Sequence, residues 1–99
     1  MRVIEKKMIE ALNTGRNMQG VNTRVSHNIN GAFVWLYDTL IFARVEGITY
    51  FSDGGFNTVT TSSRLRALGA EYSTNAKKRA CQLYTQKEMI NLYHHGRSA

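Results

Sequence analysis

The chain has 99 residues, 42% hydrophobic and 10% aromatic, a composition that suits one folded domain over residues 1–99 and argues against disorder. Its formal net charge of +6 points to an acidic partner, either nucleic acid or an acidic protein surface. A single cysteine, Cys81, excludes an internal disulfide, and the longest apolar run falls far short of the roughly 20 residues that cross a bilayer.

The N-terminus, MRVIEKKMIEAL, carries charges throughout and lacks a signal-peptide core. These features together fit a reducing, intracellular compartment, and a homodimer would suit a domain of this size. Residues 2–13 read as an amphipathic helix. Ile4, Met8, Ala11 and Leu12 share one face, Glu5, Lys6, Lys7 and Glu10 take the solvent side, and Gly15 is placed to cap the end. The polar segment 14–31 predicts a short strand near Asn22–Ser26, then a turn through His27–Gly31.

Residues 33–51 hold most of the large apolar side chains and predict three strands joined by tight turns at Asp38-Thr39 and Glu46-Gly47. Val45 then faces Ile48, Ala43 faces Tyr50 and Phe42 faces Phe51. Around the first turn, Tyr37 meets Leu40, Leu36 meets Ile41 and Trp35 meets Phe42. Alternation sorts this register into two faces. Val34, Leu36, Ile41, Ala43, Val45, Ile48 and Tyr50 form an aliphatic face expected to pack on a helix. Phe33, Trp35, Tyr37, Leu40, Phe42, Arg44, Thr49 and Phe51 form an aromatic face containing a cation. A one-residue slip at either turn exchanges the sets.

Beyond Phe51, Ser52–Gly55 signals a turn and Phe56–Thr60 alternates like a further strand. Thr61 or Ser62 then caps a helix near 62–73, with Leu65, Leu68 and Tyr72 on one side. Residues 81–84 read as a strand. Thr85–Glu88 matches a capping box and opens a short helix that ends at His94–Gly96. The fold class is therefore α+β: a mainly antiparallel meander of three to five strands, an N-terminal helix, a second helix near 62–73 and a short C-terminal helix.

Chemistry is sparse. Gly54-Gly55 belongs to no phosphate-loop motif and reads as a plain turn. His27, His94 and His95 are not spaced as a metal set, and no cofactor motif occurs. Asp38 and Asp53 lie in turns, and Cys81 has no local histidine, so no catalytic residues are assigned and enzyme activity is not expected. Charge is more telling. Between 62 and 99, Arg64, Arg66, Lys77, Lys78, Arg79, Lys87 and Arg97 stand against Glu71 and Glu88, which leaves +5 in that stretch.

Thr61, Ser62, Ser63 and Arg64 at a helix start can bind a phosphate through hydroxyls, free amides and a guanidinium. With Arg66, Lys77, Lys78 and Arg79 they form the candidate nucleic-acid site. A cation in the first turn opposes the helix dipole, so Arg64 needs a partner; ordinary capping, with Arg64 on Asp53 or a solvent ion, is the simpler alternative. Trp35, Phe42 and Arg44 form a candidate interface, either a base-stacking platform or a protein-docking face. Burial in the core is the competing reading of the two rings.

The segment YFSDGGFNTVTTSSRLRAL (residues 50–68), with NTRV (residues 22–25) and YDTLIFARVEG (residues 37–47) before it, resembles small bacteriophage proteins in which a hairpin and a G-[FWY]-x-T-x-TT-x-x-RL-x-AL segment recur. The resemblance spans about half the chain and carries no catalytic residues. It implies a phage accessory protein acting in the bacterial cytoplasm. The leading expectation is nucleic-acid association through the basic C-terminal half. The alternative is a phage inhibitor that docks on a host or anti-phage defence protein.

Overall fold

Strands form where β-branched and aromatic residues are densest. The computed structural model describes residues 2–97. Helix α1 (Val3–Thr14) leads into Met18–Gln19 (β1), Thr23–Asn28 (β2), Gly31–Leu36 (β3), Thr39–Val45 (β4) and Ile48–Phe51 (β5). Helices α2 (Val59–Ala67) and α3 (Gln86–His95) follow, with a 3₁₀ turn at Ala76–Lys78 between them. The strands make one antiparallel meander in chain order, β1-β2-β3-β4-β5. This is the expected α+β architecture.

The second hairpin has the expected register: Val45 opposite Ile48, Ala43 opposite Tyr50 and Phe42 opposite Phe51. Glu46 and Gly47 both take positive φ at its turn, 52° and 77°. The first hairpin differs. Its turn is Tyr37-Asp38, one residue earlier than expected, so Leu36 pairs with Thr39 and Trp35 with Leu40. The register then shifts and Val34 pairs with Phe42, which leaves Ile41 as an inserted residue.

That insertion re-sorts the faces. Val34, Leu36, Ile41 and Phe42 pack with Met8, Ala11 and Leu12 of α1 and Leu65 of α2. Phe33, Trp35, Leu40, Ala43 and Val45 pack with Met89 of α3. Ala43, Val45 and Tyr50 thus leave the expected aliphatic face, while Phe42 and Phe51 join it. Ile48, placed in the core by the sequence, is 40% exposed. Helices cover both faces of the sheet, so neither face is an open aromatic platform.

Two expected strands are not strands. Thr58 caps α2, its side chain accepting from the Thr61 amide at 3.1 Å, so the helix starts inside the alternating 56–60 segment. Phe56 and Val59 are exposed and give that segment no face to bury. Residues 81–84 make only a bridge: Leu83 lies parallel to Phe51, and the Tyr84 amide donates to the Phe51 carbonyl at 2.8 Å. At the other helix ends the local signals hold. Gly15 caps α1 with φ of 72°, and Thr85 and Glu88 form the capping box of α3. No helix among the described residues is long and apolar enough to cross a membrane.

Candidate functional site

The candidate phosphate residues at the start of α2 serve the fold instead. Because the helix starts at Val59, Arg64 lies in its last turn, where a cation suits the dipole. It is buried, 3% exposed, and its Nη1 donates to Glu5 Oε2 at 2.8 Å. Nε donates to Thr23 Oγ1 at 3.0 Å, and Nη2 reaches Asn22 Oδ1 at 3.4 Å. Ser63 Oγ donates to the same Glu5 oxygen at 2.6 Å, and the Arg2 amide donates to Oε1 at 3.2 Å. Thr61 and Ser62 are buried against the Thr58 cap.

Glu5 is therefore a buried ion-pair partner, contrary to its expected place on the solvent side of α1. It stands three residues before Met8 and seven before Leu12, on the same helix face as both. Burial works to raise its pKa. Hydrogen bonds from Ser63, Arg64 and Arg2, with the attraction of the Arg64 charge, outweigh that and hold the carboxyl below its ordinary 4.5.

Arg79 is likewise committed. Its Nε donates to the Ser73 carbonyl at 2.7 Å, its guanidinium stacks 4.5 Å from the centre of the Tyr72 ring, and Nη1 lies 3.8 Å from Asp53. Tyr72 donates its hydroxyl to Asp53 Oδ2 at 2.9 Å, and burial with that acidic neighbour pushes the phenol up to about 12. Arg66, Lys77 and Lys78 stay exposed, and among the described residues no hydrogen bond or ion pair engages their side chains. The candidate interface is interior: Trp35 is 8% exposed and Phe42 3%, and Arg44 donates to the Leu12 carbonyl at 3.2 Å. A base cannot stack on Phe42 without displacing a helix, and on Trp35 it would have to displace the Arg24 guanidinium, 4.8 Å from the ring centre.

A different concavity, absent from the sequence reading, lies where the β3–β4 turn, the loop after β5 and the start of α2 meet. It encloses about 480 Å³. Leu36 and Ile41 give it an apolar floor, and Tyr37 and Phe56 stand at its rim, 71% and 60% exposed. Thr39, Thr58, Thr60 and Thr61 supply hydroxyls, and Asp38 and Asp53 supply carboxyl groups. Asp53 is already engaged by Tyr72, Arg79 and the Gly55 amide. Asp38 is exposed and has no hydrogen-bond or ion-pair partner among the described residues.

The walls are anchored. Gln86 of α3 brackets Leu40, accepting from its amide at 2.9 Å and donating to its carbonyl at 2.8 Å, and it also reaches the buried Ser52 hydroxyl at 2.9 Å. Gly54 takes φ of 62°, and a side chain there would run into Thr39, so loop and hairpin are in close contact. Tyr37 has φ of 53°, left-handed backbone that costs an aromatic residue about 1–3 kcal/mol. Its amide donates to the Asn22 carbonyl at 2.7 Å, which holds the turn in place. No sequence signal marks this position, because the expected turn, Asp38-Thr39, lies one residue later.

Neither the curated proteins nor the solved structures contain a match to this chain. The family model described as Kyanoviridae Gp96 protein matches residues 1–98, nearly twice the span of the resemblance visible in the sequence. Helices, meander and the cavity between them all fall within that match. The chain belongs to the Kyanoviridae Gp96 protein family, a family of phage proteins.

Proposed function

We propose that this phage protein is a non-enzymatic docking factor that holds a partner protein of the infected cell at the Tyr37–Phe56 cavity. The supporting observation is the pairing of an anchored apolar concavity with two exposed aromatic rings at its rim. Interface anchors are enriched in such rings, and pockets of this size suit an inserted side chain. An aromatic residue held in strained backbone at the rim fits the same role. Burial pushes the Cys81 thiol up, the wrong direction for a nucleophile, which favours binding over catalysis.

The test is affinity capture from nuclease-treated lysate of host cells, comparing the native chain with Phe56→Ser and Tyr37→Gly. Tyr37→Gly relieves the left-handed backbone and should hold or raise folding stability by up to about 1 kcal/mol. A protein retained by the native chain should be lost with both variants. Retention by both variants would remove the cavity from the interface.

A second reading, nucleic-acid association in the bacterial cytoplasm, is favoured by the exposed Arg66, Lys77 and Lys78 in a stretch that carries +5. With Arg64 and Arg79 committed internally, few phosphate contacts are expected. Lys77→Ala with Lys78→Ala should flatten the log–log salt dependence of duplex binding by about 0.9 per lost contact. Absence of DNA and RNA binding at low salt would dismiss this reading.

A further inference from the structure

We propose that the cavity is an arginine pocket, filled by an arginine side chain that the partner protein presents. The inference rests on the docking reading and names what enters the site. On a chain of net charge +6, the cavity lining contains two carboxyl groups and no cation. Asp53 is satisfied internally, which leaves Asp38 as the carboxylate without a partner among the described residues.

The charge excludes other occupants. A carboxylate or phosphate would meet the uncompensated charge of Asp38. A wholly apolar side chain would cover Asp38 without compensating it, which is costly. A cation with an apolar stem fits both parts of the site. Its stem lies over Leu36, with the buried Ile41 beneath, and its head meets Asp38 at the rim beside the Tyr37 and Phe56 rings. Arginine suits this better than lysine. Its planar guanidinium stacks on aromatic faces, grips a carboxylate in two-point fashion and keeps further donors for hydroxyls. The Thr39 and Thr60 hydroxyls line the cavity and make no hydrogen bond elsewhere among the described residues.

The experiment uses the full isotope-labelled chain and three blocked tripeptides, Ala-Arg-Ala, Ala-Lys-Ala and Ala-Leu-Ala, followed by amide chemical shifts. The arginine peptide should saturate shifts at Tyr37–Thr39 and Thr58–Thr61, with affinity about tenfold above the other two. Asp38→Asn should remove that preference while keeping the dispersed spectrum of the folded chain, since Asp38 is exposed and makes no hydrogen bond or ion pair among the described residues. Equal binding of the three peptides, shifts confined to other surfaces, or an unaltered preference in Asp38→Asn would overturn the proposal. If Phe56→Ser abolishes partner capture while the peptides show no arginine preference, the docking reading stands and the arginine pocket falls. If the peptides bind as expected but capture survives both Phe56→Ser and Tyr37→Gly, the docking reading falls instead. Concentration-dependent shifts at the cavity without peptide would make a second copy the occupant and overturn the assignment to a partner protein.

Discussion

Replacing Glu5 by Gln is expected to destabilise the chain by about 3–5 kcal/mol, because the substitution leaves the Arg64 guanidinium buried without its counter-charge. Both side chains are 3% exposed, so solvent screens the pair little. A domain of this size has a whole stability of about 5–15 kcal/mol, so the loss removes between roughly a fifth and all of it. Arg64→Met alone should also destabilise, by stranding Glu5. Combining Arg64→Met with Glu5→Leu should recover much of the loss, since no buried charge then remains. Urea unfolding of the single and double variants measures the coupling. A cost below about 1 kcal/mol for Glu5→Gln would mean that the pair is solvated, as exposed pairs are.

The same pair sets a pH dependence. The Glu5 carboxyl titrates below its ordinary 4.5 in the folded chain, so the unfolded chain binds its proton first as pH falls. Its contribution is fully present above the unfolded value and drains away as pH drops through the lowered, folded one. The native chain should therefore lose stability on acidification more steeply than the Arg64→Met, Glu5→Leu double variant. Parallel curves for the two would contradict the assignment.

Trp35→Ala should cost about 3–5 kcal/mol of folding stability, the range for emptying a large buried aromatic site. The indole is 8% exposed, meets Tyr93 edge-on at 5.3 Å between centroids and donates to Ser26 Oγ at 3.3 Å. The Arg24 guanidinium lies 4.8 Å from the ring centre and covers its outer side. Phe56→Ala, at a ring 60% exposed, should change stability by no more than about 0.5 kcal/mol. Thermal and urea unfolding of the two variants decide between core and surface for each ring. A Trp35→Ala chain as stable as the native one would return the α3 side of the sheet to the candidate binding surfaces.

Local signals carried far in this chain. The glycine after α1, the Thr85–Glu88 capping box, the Glu46-Gly47 turn and the β-rich run between 33 and 51 were legible because each depends on neighbours within a few residues. The amphipathic stripe of α1 was legible for Met8, Ala11 and Leu12, and the same 3.6-residue period already passes through Glu5. What misled was charge: an acidic residue on a helix is ordinarily solvated, and only a distant cation reverses that preference.

Tertiary structure decided the rest. Glu5 and Arg64 are 59 residues apart, and their pairing turned a candidate phosphate ligand into part of the core. The inserted Ile41 has no local cost that marks it, yet it moved Phe42 to one face of the sheet and Ala43 and Val45 to the other. Whether the aromatic side of the meander was platform or core depended on where α3 docked, and residues 33–51 contain nothing that sets this. The cavity joins three segments that are separate in the chain, the 37–39 turn, the 53–56 loop and the start of α2. Sequence determined which elements form, because hydrogen bonds and side-chain periods are local. Packing determined which charges are buried and which rings stay exposed, because desolvation and ion pairing depend on every element brought near them.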